Sequence, residues 1–197
     1  MIYIYQIIGL ILIPLIKLNI KIRIKKNKEI VNRHKERFGI SNYAFQNNNQ
    51  IIWIHAASVG EFKSADYFII KYHKKFNILI TTTTVSAAEY AINNYGDKII
   101  HQFAPLDVSI WINKFLDKWK PLLIIWIESD LWPMTLKIIK KKKIKAILVN
   151  LRLSPKSLKK WQLIPSFYNN LLNSFSDIFA QSIIDRDRIK LLSNKKI

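Results

Sequence analysis

From residue 51 onward, short, largely apolar runs alternate with stretches whose apolar residues fall three or four positions apart. Few folds tolerate that rhythm. A run of four to seven Ile, Leu, Val and Trp residues is buried on both faces when it is a strand, and the stretches between are long enough for crossover helices. The spacing predicts strands over 51–55, 76–81, 99–103, 122–127, 144–150 and 177–180. Helices are expected over 61–73, 86–94, 107–119, 131–142, 165–173 and 183–192. The fold class is therefore α/β, with a Rossmann-like parallel sheet and flanking helices. Its strand-to-helix loops gather at one sheet edge, where ligands bind in such folds.

The first residues have a different character. Residues 2–16 carry no charge, and Lys17, Lys21, Arg23, Lys25, Lys26 and Lys28 follow at once. Extended to Leu18 the run reaches 17 residues, near the lower bound for a membrane span, with Lys17 able to snorkel. A cleaved signal peptide would have its positive charge before the run and a small-residue cleavage site after it. The expectation is an N-terminal membrane helix over 1–20, spanning or lying in the interface, with the basic cluster on the cytoplasmic side. The alternative is a buried N-terminal helix kinked at Gly9 and Pro14. Residues 21–50 read as a basic collar and a polar linker ending in Gln46-Asn47-Asn48-Asn49-Gln50, and 51–197 as the Rossmann-like domain.

The formal charge of +19 has two sources to weigh. Ile, Lys and Asn, all encoded by AT-rich codons, make up 79 of the 197 residues, so genome bias accounts for part of it. Lys outnumbers Arg by 26 to 6, whereas base readout favours Arg, so a sequence-specific nucleic-acid partner is not expected. There is no cysteine, hence no disulfide framework and no thiolate chemistry. His34, His55, His73 and His101 show no metal-ligand spacing, and His55, beside the candidate site, reads as a satisfied structural histidine. No Walker lysine motif and no G-x-G-x-x-G is present.

The chemistry-bearing residues cluster at the expected strand ends. After the first strand come His55-Ala56-Ala57-Ser58-Val59-Gly60-Glu61, in which Gly60 permits a sharp turn or a close ligand approach. Ser58-x-x-Glu61 is also capping-box spacing, found at many helix starts. The fourth strand ends in Glu128-Ser129-Asp130-Leu131-Trp132-Pro133: paired carboxylates suited to acid–base work, although Asp130 equally suits a helix cap. The fifth ends in Asn150-Leu151-Arg152-Leu153-Ser154, with Arg152 an anion ligand or a salt-bridge partner of those carboxylates.

Together the ordered motifs W-I-H-A-A-S-V-G-E, T-T-T-T, F-A-P-L-D, E-S-D-L-W-P, N-L-R-L-S and A-Q-S, with E-R-F-G at Glu36, resemble the N-terminal half of the 3-deoxy-D-manno-octulosonic acid (Kdo) transferases. The resemblance implies the N-terminal domain of a GT-B glycosyltransferase on the cytoplasmic face of the inner membrane, moving Kdo from CMP-Kdo to the lipid A precursor, lipid IV(A). It implies Glu61 as proton acceptor, ionised at its helix start, and Glu128 as transition-state stabiliser. Ser58, Gly60, Asn150 and Arg152 are then substrate-binding candidates. No metal or cofactor is implied, CMP-Kdo being the donor substrate. Asp130 stands where the family has a second glutamate. The family's C-terminal donor-binding domain is expected to be absent, so the chain alone is expected to transfer little or no Kdo. The alternative is a catalytically dead, membrane-bound lipid-binding fragment.

Overall fold

The computed structural model describes residues 1–44, 49–128 and 130–197. Gln46–48 of the polar stretch and Ser129 of E-S-D-L-W-P lie outside the described residues. Six strands form one parallel sheet: β1 (Ile51–His55), β2 (Asn77–Thr82), β3 (Ile100–Phe103), β4 (Leu123–Ile127), β5 (Lys145–Leu151) and β6 (Asp177–Ala180). Their order is β3-β2-β1-β4-β5-β6, so the chain starts in the middle, winds outward to β3, then crosses back to β4. That reversal puts a crevice between the carboxyl ends of β1 and β4, the place where open α/β sheets bind ligands.

The alternation of side chains along each strand feeds two cores. Ile52 and Ile54 of β1 pack on one face with Phe62, Ala65 and Ile69 of α3 (Val59–Tyr72). Ile51 and Trp53 pack on the other with Phe115 and Trp119 of α5 (Ser109–Trp119) and Ile139 of α6 (Pro133–Lys141). All five residues of β1 are buried, as a central strand covered on both sides requires. Small residues on α4 (Val85–Tyr95), namely Ala87, Ala88 and Ala91, are fully buried and let that helix lie close to its neighbours. Helices α8 (Pro165–Leu172) and α9 (Ile183–Lys190) fall within their expected spans. A further helix, α7 (Pro155–Trp161), was not anticipated, although Ser154 caps it and Pro155 occupies its first turn.

The stretch expected to be collar and linker contains packed structure. A 3-10 helix, Val31–Phe38, lies against β3 and α5 and buries Arg37. Arg37 is 4% exposed and pairs with Glu29, whose side chain is 1% exposed. Glu36 accepts the Phe103 N–H at 2.6 Å and is clasped by Arg33. E-R-F-G is therefore a clamp on the edge strand β3, and its glycine closes the helix at φ +70.

The N-terminal apolar run is not a single helix, which corrects the spanning expectation. It divides into α1 (Ile2–Ile11) and α2 (Ile13–Lys25), interrupted at Leu12 just before Pro14. Proline has no N–H to continue the ladder, so the second helix restarts around it. At 1.5 Å per residue the two pieces reach about 15 and 20 Å, against about 30 Å of hydrocarbon. Among the described residues no helix is long and apolar enough to cross a membrane. Instead α1 is pinned to the domain: the Tyr5 hydroxyl donates to Asp107, Lys137 donates to Gln6, and the Lys137 ammonium sits 3.9 Å from the Tyr3 ring centroid. None of its residues is buried, so it is not a core helix either. Ile4, Ile7, Ile8 and Ile11 of α1, with Leu15, Leu18 and Ile22 of α2, are exposed.

Candidate active site

Glu61 enters the crevice from the first turn of α3. Ser58 is the N-cap: its Oγ accepts the Glu61 N–H at 3.3 Å and donates to Glu61 Oε1 at 3.2 Å. The other carboxylate oxygen, Oε2, accepts the Ala57 N–H at 2.6 Å. The capping geometry is therefore real, and it fixes the carboxylate where β1 ends. A cap and a catalytic base are not exclusive here, because capping holds the side chain in one rotamer.

The helix start is one of several influences on the ionisation of Glu61. Burial pushes its carboxyl above the usual value of 4.5; the Ala57 N–H opposes this, the Glu128 charge adds to it, the Ser58 hydroxyl opposes, and the Asp130 charge adds. Desolvation wins because the side chain is tucked between strand end and helix. A carboxylate raised in this way is a stronger base than an exposed one, which suits proton abstraction.

Glu128 follows β4 with φ +65, and Asn150 within β5 has φ +60. Both are non-glycine residues in the left-handed region, side by side at the crevice. The pairing of β5 with β6 shifts register between Leu148 and Leu151, a bulge that contains Asn150 and re-aims its side chain. The Asn150 amide reaches Glu128 Oε1 at 3.5 Å and Ser64 Oγ at 3.4 Å, linking both strand ends to α3. Left-handed backbone at an ordinary residue costs about 1–2 kcal/mol, and a glycine there forfeits about 0.5–1 kcal/mol through chain entropy. Glu128→Gly should therefore stabilise the fold by about 0.5–1 kcal/mol. Thermal unfolding followed by circular dichroism should show a small rise in Tm, and a fall would mean that Glu128 is held in place for stability.

Arg152 lines a cleft of about 520 Å³ with Glu128, Ser154, Gln181, Asp185 and Arg188. Burial alone would raise the Asp185 carboxyl; the Ser182 hydroxyl, the Leu153 N–H, Arg188 and Arg152 outweigh it and hold Asp185 below the usual carboxylate range. Arg152 thus lines the same cleft as Glu128, one of its expected partners, while its charge is felt by Asp185, which was not among them.

Three expectations change. Gly60 has no left-handed φ, and a Cβ there would meet only Ser58 Oγ at 3.9 Å, so no sharp turn demands glycine. Asp130 does not cap α6; its backbone carbonyl accepts from the Trp126 indole. The cap comes from afar, since the Asp107 carboxylate accepts the Met134 and Thr135 N–H groups and the Thr135 hydroxyl. His55 is buried between Trp126 and Trp132, with Nδ1 2.9 Å from Thr81 Oγ1, while Nε2 has no partner among the described residues. Burial lowers its pKa to about 3, so it is neutral. The threonine run explains itself in place: Thr81 also accepts the Trp53 indole N–H, Thr82 meets His101, Thr83 donates to the Ala57 carbonyl, and Thr84 caps α4.

A profile of the 3-deoxy-D-manno-octulosonic-acid transferase (kdotransferase) family matches residues 32–197. The chain belongs to this Kdo transferase family. A 3-deoxy-D-manno-octulosonic acid transferase of Rickettsia bellii is 36% identical over 195 residues, covering 98% of this chain and 46% of that protein. The corresponding transferase of Haemophilus influenzae is 30% identical over 98% of this chain and 46% of its own length. A probable mitochondrial 3-deoxy-D-manno-octulosonic acid transferase of Arabidopsis thaliana is 39% identical over 91% of this chain and 41% of its own. The chain thus spans less than half the length of each of these three Kdo transferases.

Proposed function

We propose that the chain supplies the acceptor-side half of a glycosyltransferase that moves Kdo from CMP-Kdo to the lipid A precursor, lipid IV(A), in lipopolysaccharide synthesis. The observation that carries this reading is the half-buried Glu61 carboxylate, oriented by Ser58 and Ala57 and facing Glu128 at the switch point of a Kdo transferase-family sheet. An acceptor sugar hydroxyl placed against Glu61 gives up its proton to the carboxylate as its oxygen attacks the anomeric carbon of Kdo. The bond from that carbon to the CMP phosphate oxygen breaks, and CMP leaves with the electron pair. Glu128, held in left-handed backbone, is read here as facing the positive charge that grows on the sugar ring. A positioned base contributes about 10²–10⁴-fold to such a step. Asn150 and Arg152 line the acceptor side, and Ser58 holds the base. CMP-Kdo is held, on this reading, by the part of the family's length that this chain does not span.

The exposed apolar faces of α1 and α2, beside Lys17, Lys21, Lys25, Lys137 and Lys140, support peripheral contact with the inner membrane from its cytoplasmic face. Each such lysine near an anionic leaflet contributes about 1 kcal/mol. The test is Kdo transfer from CMP-Kdo to lipid IV(A) in detergent, run with the chain alone and with the remaining half of the Rickettsia bellii relative added. Product that depends on this chain supports the reading; no product in either arm contradicts it.

A further inference from the structure

Glu128 stands at φ +65, and a non-glycine residue stays in left-handed backbone only where its surroundings fix it from both sides. Upstream, the Glu128 N–H donates to the Val149 carbonyl of β5 at 2.9 Å. The side chain itself is held less well, since the Asn150 amide reaches it at 3.5 Å, beyond the usual range of a hydrogen bond. Downstream, the Asp130 carbonyl accepts the Trp126 indole N–H at 2.9 Å. Trp132 packs on His55 and Trp126, with ring centroids 4.7 and 5.8 Å apart, and Pro133 then opens α6.

Trp132 is the N-cap of α6 and, among the described residues, gives it no side-chain hydrogen bond. Asp107, which follows β3 at the same edge of the sheet, supplies the cap instead. Its Oδ1 accepts the Thr135 N–H at 2.7 Å and the Thr135 hydroxyl at 2.6 Å. Its Oδ2 accepts the Met134 N–H at 2.9 Å and the Tyr5 hydroxyl at 3.0 Å. Four donors thus fill the four acceptor positions of one carboxylate. Three of them come from the first turn of α6, just beyond the Glu128 segment. The fourth comes from α1, which rests on α5 and α6 with none of its residues buried.

We propose that Asp107 is a positioning residue for transfer: it anchors the start of α6 so that the left-handed backbone at Glu128 is kept, and Tyr5 makes α1 part of that anchor. The inference rests on the transferase reading for its effect on rate, and not for its effect on structure. With the start of α6 released, the backbone at Glu128 is supported from one side and relaxes to the conformations ordinary residues prefer. Its carboxylate is then carried out of place. A contact made in the transition state and lost in this way lowers kcat and kcat/KM together, with substrate binding unchanged. The seating of α1 and the geometry at Glu128 are coupled through a single hydroxyl.

Amide hydrogen exchange followed by NMR on the chain alone tests the anchor without any transfer. Asp107→Asn puts an NH2 group where N–H donors now find an oxygen. It should speed exchange by about tenfold or more at Met134 and Thr135, and also at Glu128, whose N–H is held by Val149. Tyr5→Phe removes one surface hydroxyl, leaves α6 its three bonds, and should speed the Glu128 amide by about threefold. It decides the case if Asp107→Asn does not fold. Ile92→Gly, at an exposed position of α4, is the control: it lowers stability through helix propensity and should leave the Glu128 amide unchanged. In transfer assays with the remaining half of the Rickettsia bellii relative present, Asp107→Asn should lower kcat by about tenfold or more at unchanged KM, and Ile92→Gly should not. Faster exchange confined to Met134 and Thr135 would reduce Asp107 to a helix cap and overturn the proposal. A raised KM at unchanged kcat, or a loss of kcat matched by Ile92→Gly, would overturn it as well. A parent chain that transfers nothing contradicts the transferase reading, and the exchange result then decides the anchor by itself.

Discussion

Glu61→Gln should lower Kdo transfer by about 10²–10⁴-fold, the range for removing a positioned general base. The substitution keeps the length and polarity of the side chain but leaves no site for the acceptor proton. The fold should hardly respond. The amide oxygen can still accept the Ala57 N–H, and even full loss of a helix-start cap costs about 0.5–2 kcal/mol. Circular dichroism and thermal unfolding should therefore match the parent chain while turnover collapses. Glu61→Ala makes the complementary case, since it removes the cap as well and should lower both activity and Tm. If Glu61→Gln transfers at the parent rate, Glu61 is a helix cap and nothing more.

Gly39→Ala should be the most destabilising single-methyl change in the chain. An added Cβ would lie 2.1 Å from the Trp111 carbonyl oxygen and 3.2 Å from the Phe115 nitrogen, both backbone atoms of α5 that cannot rotate aside. Its φ of +70 adds the left-handed penalty of about 1–2 kcal/mol. Relieving the clash means lifting the 3-10 turn off α5, which also pulls at the buried Arg37–Glu29 pair. Breaking such a pair costs about 3–5 kcal/mol, so a total above about 4 kcal/mol is expected. At about 2–4 °C per kcal/mol for a domain of this size, the melting midpoint should fall by at least about 8 °C. Gly96→Ala is the control, because a Cβ there meets nothing within 4 Å and carries only the backbone term at φ +46. Equal effects at the two glycines would show that the contact with α5 is not what holds the turn.

The sheet was legible in the sequence because parallel strands buried on both faces are mostly apolar, so residues 51–54 and Leu123–Ile127 stand out as unbroken apolar runs. The crevice followed from the same reading, since the side chains after β1, β4 and β5 had to share one edge. What sequence reasoning missed depends on contacts between distant residues. The capping of α6 by Asp107 spans 27 positions, and nothing local distinguishes Asp107 from Asp130 as a cap. The clamp of Glu36 on Phe103 spans 67 positions, so the E-R-F-G segment read as part of a linker. The left-handed conformations of Glu128 and Asn150 left no trace in residue type, because neither is a glycine. The N-terminal run was misjudged by length: hydropathy counted its apolar residues, and Pro14 decided how many could share one helix.

The pH profile of Kdo transfer by the parent chain and by Glu128→Gln is the most direct test, with the remaining half of the Rickettsia bellii relative present in both. A base acts deprotonated, so the rate falls as pH drops through the Glu61 pKa. Burial raises that pKa above 4.5, and the neighbouring Glu128 charge raises it further. The parent profile should therefore show an acid limb above the ordinary carboxylate range. In Glu128→Gln the turnover drops and the limb should move to lower pH, because one of the charges opposing ionisation is gone. An acid limb that stays in place in Glu128→Gln, or a profile with no acid limb at all, would contradict the assignment of Glu61 as a base coupled to Glu128.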